Sequence, residues 1–167
     1  MNLKHNPLRE MMNRGVIRLV TPDDLERLVE LELKCFGEKN AYTKGQLKYL
    51  ISNANSYCLA EEHNKIVRGF IIVLFRKRSR IAGIETLNVD PVFRGLGIGK
   101  KLLIRAEEEM KTRCIKKVRL EVSTGNRFAI GLYEKVGFKK TAVLQKYYHN
   151  INFETYDAFR MVKEIVY

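Results

Sequence analysis

Apolar positions recur with two periods along this chain, and the switching between them lays out its elements. Val16 to Val20 reads as a first strand. Thr21-Pro22-Asp23-Asp24 then caps a helix, with Leu25, Leu28, Leu31 and Cys35 at helical spacing and Gly37 to end it. A second helix is predicted from Thr43, carrying Leu47, Leu50 and Ile51. Tyr57 to Glu62 and Ile66 to Phe75 read as strands around the turn His63-Asn64. Ile84 to Val89 alternates and stops at Asp90-Pro91, and Ile98, Leu102, Ala106 and Met110 then mark an amphipathic helix to about Lys111. Val118 to Ser123 is another strand, Arg127 to Val136 a short helix, and a closing hairpin follows. This order predicts an α/β chain, a mixed sheet with helices on both faces.

The junction from Val89 to Lys101 is the most informative stretch. It reads as a strand delivered into a glycine-rich turn and then into a helix. Gly95, Gly97 and Gly99 have no side chains, so backbone N–H groups can approach an anion at the positive end of the helix dipole, with Arg94, Lys100 and Lys101 beside it. Two familiar phosphate loops do not fit. The dinucleotide fingerprint needs glycine where Lys100 stands, and the P-loop needs Gly-Lys-Ser/Thr where Gly99-Lys100-Lys101 stands. An ordinary strand-to-helix turn is the alternative that spacing alone leaves open.

Arg94-Gly95-Leu96-Gly97-Ile98-Gly99 fits the pattern Arg/Gln-x-x-Gly-x-Gly/Ala, and with it the chain resembles the GNAT acyltransferases. The likeness continues through Arg119-Leu120-Glu121-Val122, Gly125-Asn126 and Gly131-Leu132-Tyr133-Glu134-Lys135-Val136-Gly137-Phe138. Among these enzymes it is similar to the ribosomal-protein alanine N-acetyltransferases and the archaeal N-terminal acetyltransferases. The likeness runs from about Val16 to Ile165. It implies a GNAT fold: a mixed, mostly antiparallel sheet of about seven strands with helices on both faces, a single acetyltransferase domain over residues 15–167 and an N-terminal extension over 1–14, expected to be disordered for want of periodicity.

The resemblance also implies acetyl-CoA as donor, held by Arg94, Gly95, Leu96, Gly97, Ile98, Gly99 and Lys100. The backbone of Leu87, Asn88 and Val89 would line the acetyl group and offer an oxyanion-type N–H, and Asn126 would steady the CoA arm. On the strand Val118 to Ser123 the apolar set is Val118, Leu120 and Val122, which leaves Glu121 on the other face with Arg119 and Ser123. Residue pattern alone makes Glu121 a solvated glutamate and Tyr133 a core tyrosine. The matching residues of the family serve as general base and as the acid that protonates the departing thiolate. Glu85, which by alternation shares a face with Leu87 and Val89, is a rival base resembling a glutamate of polyamine acetyltransferases.

For the acceptor, Glu38 matches a glutamate with which N-terminal acetyltransferases engage a peptide terminus, and Tyr147 and Tyr148 could supply a facing wall. A solvated loop glutamate and hairpin packing are the plain alternatives. The chain departs from the family where Ser123 replaces arginine, Gly125 replaces serine, and Arg127-Phe128 open the short helix. The expected reaction is direct acetyl transfer to the α-amine of a protein, ribosomal or nascent. A polyamine or other small amine is the alternative acceptor, and a non-catalytic CoA-binding module the alternative outside enzymes.

Composition fits these expectations and narrows them. A chain of 167 residues can bury about two thirds of its unfolded surface. Cys35, Cys58 and Cys114 are odd in number and far apart, and His5, His63 and His149 lack partners at ligand spacing, so neither a disulfide framework nor a metal is expected. No signal peptide or membrane span is read, and a cytoplasmic location is expected. Thirty-one Lys and Arg against 19 Asp and Glu give +12, which favours anionic partners without selecting among them; direct nucleic-acid binding is not required. Arg76-Lys77-Arg78-Ser79-Arg80 is read as a basic hairpin tip, either a solvated turn or a docking site.

Overall fold

The computed structural model describes residues 15–53 and 55–167; the expected extension over 1–14 lies outside them. Strand β1 (Val16–Leu19) leads through a single 3-10 turn (Pro22–Asp24) into helix α1 (Leu25–Phe36). The Asp24 carboxylate accepts from Thr21 N at 2.8 Å, and Gly37 closes the helix at φ +71°. Helix α2 (Lys44–Ser52) starts from a capping box of Thr43 and Gln46. Strands β2 (Ser56–His63) and β3 (Ile66–Phe75) form a hairpin. Its turn is Asn64-Lys65, both at positive φ, one residue later than the sequence suggested. Strand β4 (Ile81–Val89), helix α3 (Ile98–Thr112), strand β5 (Lys117–Ser123) and helix α4 (Arg127–Lys135) follow. Strands β6 (Lys139–Leu144) and β7 (Ala158–Glu164) close the chain.

All seven strands form one sheet in the order β1-β2-β3-β4-β5-β7-β6. Every neighbouring pair is antiparallel except β4 and β5. One face packs Ile71, Val73, Ala82 and Ile84 against Ile98, Leu102, Ala106 and Met110 of α3 and Ile130 of α4. The other packs Cys58, Ala60, Phe70 and Ile72 against Leu28 and Leu31 of α1 and Leu47 and Leu50 of α2. The expected seven-stranded mixed sheet with helices on both faces is what the chain forms.

Two irregularities position the site. The parallel pairing ends at Gly83–Arg119, so Ile84 to Val89 of β4 and Leu120 to Ser123 of β5 are unpaired with one another and the sheet opens between them. In addition, β4 carries a bulge: Thr86 faces Ile72 and Ile84 faces Val73, leaving Glu85 without a partner residue. The extra residue reverses the alternation. Ile84 joins the α3 side, Thr86 and Asn88 hydrogen-bond to Glu32 of α1, and Leu87 and Val89 return to the α3 side.

Candidate active site

The glycine turn delivers β4 into a helix start that no side chain caps. Asp90 anchors the approach: its carboxylate accepts from Arg27 Nη2 at 2.7 Å, Lys34 Nζ at 3.2 Å and Val92 N at 3.2 Å. Burial pushes that carboxyl up, but Arg27, the Val92 amide and Lys34 together outweigh it and hold the group below the ordinary aspartate range. Gly95 and Gly97 sit at φ +81° and +77°, a region costly for residues with a Cβ. Gly97 caps α3 without any side-chain bond to the first turn, so that turn's N–H groups point outward for an anion. Gly99 plays a different part. It is buried, and a Cβ there would come within 2.9 Å of Leu132 Cδ2, so its missing side chain lets α3 approach α4.

Beside this turn runs a cleft of ≈ 130 Å³, lined among others by Leu87, Val89, Arg94, Leu132 and Tyr133. Arg94 is braced there, donating from Nε to Val89 O at 3.3 Å. A second cavity of ≈ 200 Å³ occupies the opening between β4 and β5 and includes Glu32, Glu85, Glu121, Tyr147 and Tyr148 in its wall. Six residues line both spaces: Phe36, Leu87, Asn126, Ala129, Tyr133 and Phe153. A molecule lying in the cleft therefore meets one lying in the cavity at Leu87 and Tyr133.

The two candidate bases sit in different settings. Glu121 is half-buried and lies opposite Arg160 in the β5–β7 register, accepting from Arg160 Nε through Oε1 at 2.9 Å. Glu85 is exposed and accepts a hydrogen bond from the Tyr42 hydroxyl. Its expected grouping with Leu87 and Val89 does not hold, because the bulge turns it toward the α1–α2 loop. Tyr133 is 7% exposed, its ring 5.6 Å from that of Phe138, and burial lifts its phenol well above the ordinary tyrosine range. Asn126 caps α4, its Oδ1 accepting from Ala129 N at 3.1 Å.

Other expected residues divide. Tyr147 and Tyr148 do reach the cavity, edge to face at 5.0 Å, and burial pushes Tyr148 up to about 12. Glu38 lines neither space. It stands exposed in the α1–α2 loop, while Phe36 at the end of α1 and Asn40 and Tyr42 of that loop face the cavity. The Asn88 side chain is turned away as well, fully buried with Nδ2 donating to Glu32 Oε1 at 2.9 Å. Any part it plays toward a donor is through its backbone.

Glu32 was missed by sequence reasoning. It is fully buried, accepts from Thr86 Oγ1 at 2.7 Å and Asn88 Nδ2 at 2.9 Å, and forms part of the cavity wall. Its signal was present: it falls four residues after Leu28, on the apolar side of α1, where a charge is out of place. Also missed was the connection 145–157 between β6 and β7. Asn40 Nδ2 donates to Ile151 O at 2.9 Å and Asn150 Nδ2 donates to Lys39 O at 3.0 Å, tying this connection to the α1–α2 loop beside the cavity. The same connection accounts for two departures from the family pattern. Ser123 Oγ donates to Asn152 O at 2.5 Å, and a Cβ on Gly125 would fall 1.9 Å from Phe153 O.

Comparison with known proteins gives the family. The family model described as acetyltransferase (GNAT) family matches residues 25–138. An uncharacterized N-acetyltransferase of Methanocaldococcus jannaschii is 33% identical over 143 residues, 77% of this chain but 62% of that protein's own length. The N-alpha-acetyltransferase RimI of Mycobacterium tuberculosis is 27% identical over 86% of this chain and 90% of its own. Among solved structures, Ard1 from Thermoplasma volcanium superposes with a TM-score of 0.81 at 28% identity, covering 92% of this chain and 99% of that one. The matched model spans well over half of the sequence, including the glycine turn and Tyr133, and the chain belongs to the GNAT acetyltransferases, enzymes that take their acetyl group from acetyl-CoA.

Proposed function

We propose that this chain transfers the acetyl group of acetyl-CoA to the N-terminal α-amine of a protein, ribosomal or nascent, within one acetyltransferase domain over residues 15–167. The observation that carries this reading is the meeting of cleft and cavity at Leu87 and Tyr133. The residues present suit the donor. The uncapped first turn of α3, with Arg94 and Lys100, would hold its pyrophosphate; Leu87, Val89, Ala129 and Leu132 would flank its arm; and the Asn126 amide would steady it.

Acceptor chemistry follows from the carboxylates. An α-amine of pKa about 8 needs little help to lose its proton near neutrality, whereas lysine at about 10.4 needs much more. Glu121 takes that proton through a water on Oε2, its Oε1 being held by Arg160. The amine nitrogen bonds to the acetyl carbon as the carbon–sulfur bond breaks, and backbone N–H at Leu87 to Val89 receives the carbonyl oxygen. Tyr133 returns a proton to sulfur. The dry surroundings that raise its phenol would raise a thiolate left beside it too, which keeps donor and acceptor of the proton matched. The name of the Mycobacterium tuberculosis relative, an N-alpha-acetyltransferase, supports the α-amine.

A second reading has its own observation: Glu32, Glu85 and Glu121 all line the cavity, which suits a polycationic small amine. One assay separates the two. CoA release is measured with a peptide carrying an internal lysine, its N-terminus free or blocked, and with spermidine. Turnover confined to the free terminus is expected, with Glu121→Gln and Tyr133→Phe lowering kcat by roughly 10²–10³-fold. Turnover on spermidine alone overturns the α-amine reading and moves the base to Glu85.

A further inference from the structure

The end of the sheet away from the glycine turn carries a concentration of positive charge that acetyl transfer does not use. The β3–β4 turn supplies Arg76, Lys77, Arg78 and Arg80, all exposed, and no carboxylate stands against any of these four among the described residues. Lys116 and Lys117 are fixed beside them, their amides donating to Arg80 O at 2.8 and 3.2 Å, with Lys117 opposite Ile81 in the parallel register. Arg113, at the end of α3, lies 4.3 Å over the Phe75 ring at the foot of the same turn. Seven cations thus share one surface. The carboxylates that pair with them are Glu109, on Arg113 at 2.7 Å, and Glu164, on Lys117 at 3.5 Å.

This surface is distant from the site. The nine residues of β4 lie between the turn at its start and Asp90 at its end, about 27 Å at about 3.3 Å per residue. Charge here cannot serve the phosphates of acetyl-CoA, and a partner bound here leaves both cleft and cavity open.

We propose that this end of the molecule docks on structured RNA through the phosphate backbone. Four of the seven cations are arginines, whose planar forks match phosphate oxygens two at a time. The turn is short and blunt, with no helix or long ribbon to enter the major groove of a DNA duplex, and RNA is recognised instead by shape, phosphates and unstacked bases. An exposed ring for such a base is present: Tyr167 is 61% exposed, held by its hydroxyl on Ile115 O at 2.7 Å and by Lys116 Nζ at 4.2 Å from the ring centre. A protein partner fits less well, because protein interfaces bury an apolar centre and keep charges at the rim. An anionic membrane fits less well because the turn has no bulky apolar side chain to insert. The inference does not depend on which amine the site acetylates.

The test measures binding of the full chain to a labelled RNA stem-loop by fluorescence anisotropy over a salt series. It is run beside a DNA hairpin of the same sequence, phosphatidylglycerol vesicles and polyglutamate. The variant combines Arg76→Gln, Lys77→Gln, Arg78→Asn and Arg80→Gln, with asparagine at 78 because that residue has φ +61°. Wild type is expected to bind the RNA best, and the variant to lose at least about tenfold in affinity and about 3 in the slope of log K against log salt. Its Tm and acetyl-CoA binding should stay unchanged. Should the fourfold variant melt early, Lys77→Gln and Arg78→Asn separately are each expected to lower the slope by about 1. Equal binding by variant and wild type overturns the proposal, as does a preference for DNA, vesicles or polyglutamate over RNA.

Discussion

Among the described residues, Glu32 has hydrogen-bond donors but no cation against it, and its energetics follow from that. Burial raises its pKa above the ordinary 4.5, opposed by the Thr86 hydroxyl, the Asn88 amide and the Tyr42 backbone N–H. The folded chain therefore holds this proton at pH values where the unfolded chain has lost it. Stability is fully present below about 4.5, falls as pH rises toward the folded-state value, and levels off above it. Glu32→Gln removes the titration while keeping shape and an acceptor oxygen. Denaturant unfolding of both proteins over an ascending pH series should show a decline in wild type that the variant lacks. Identical pH profiles would show that Glu32 does not carry the proton in the fold. Single residues were also where sequence reading was weakest. Glu121, Tyr133, Tyr147 and Tyr148 all reach the cavity, because the family pattern carries their spacing. Glu38 does not, because a loop's path depends on contacts far away in sequence, here the bonds from Asn40 and Asn150.

At the scale of elements, β6 and β7 were read only as a closing hairpin, β6 being exposed along nearly all its length, while the helices and the strands up to β5 followed from periodicity and capping. The β4 bulge did not. Ile84 to Val89 reads as plain alternation, and only pairing with β3 shows that Glu85 is the extra residue which turns Thr86 and Asn88 toward α1. The splay of β4 from β5 is likewise a property of two strands together and leaves no mark in either alone. The connection 145–157 is the element most open to change. It is joined to the α1–α2 loop by two side-chain amides and rests on Ser123 and Gly125. Both bonds are exposed, where a hydrogen bond is worth about 1 kcal/mol or less, so Asn40→Ala with Asn150→Ala should leave global stability nearly intact. Untying the loops loosens the wall formed by Tyr147 and Tyr148, which line the cavity and not the cleft. The expected result is an acceptor KM several-fold higher, with the KM for acetyl-CoA unchanged. Equal effects on both KM values would mean that the connection shapes the cleft as much as the cavity.

Across the whole molecule, charge is sorted along β4. Its end delivers the glycine turn and Arg94, its start delivers the cations of the β3–β4 turn, and the carboxylates of the cavity lie between. A net +12 spread evenly would only add repulsion; sorted in this way it gives each anion its own place. The turn at the end of β4 was legible from glycine spacing because a left-handed backbone at Gly95 and Gly97 needs that residue type. Gly99 belongs to the same run for another reason, the approach of α4, which no local pattern could tell apart. If Gly97 and the open first turn of α3 hold phosphates, CoA must stabilise the fold more than pantetheine, which has the arm but no pyrophosphate. Ligand at about 100 times its Kd adds about 2.7 kcal/mol, or about 5–10 °C in Tm for a chain of this size. Thermal melts should therefore show such a shift with CoA and a much smaller one with pantetheine at the same concentration, and the CoA shift should shrink as salt screens the turn. Equal shifts with the two ligands would place the binding energy in the apolar cleft and remove the anion-binding role from α3.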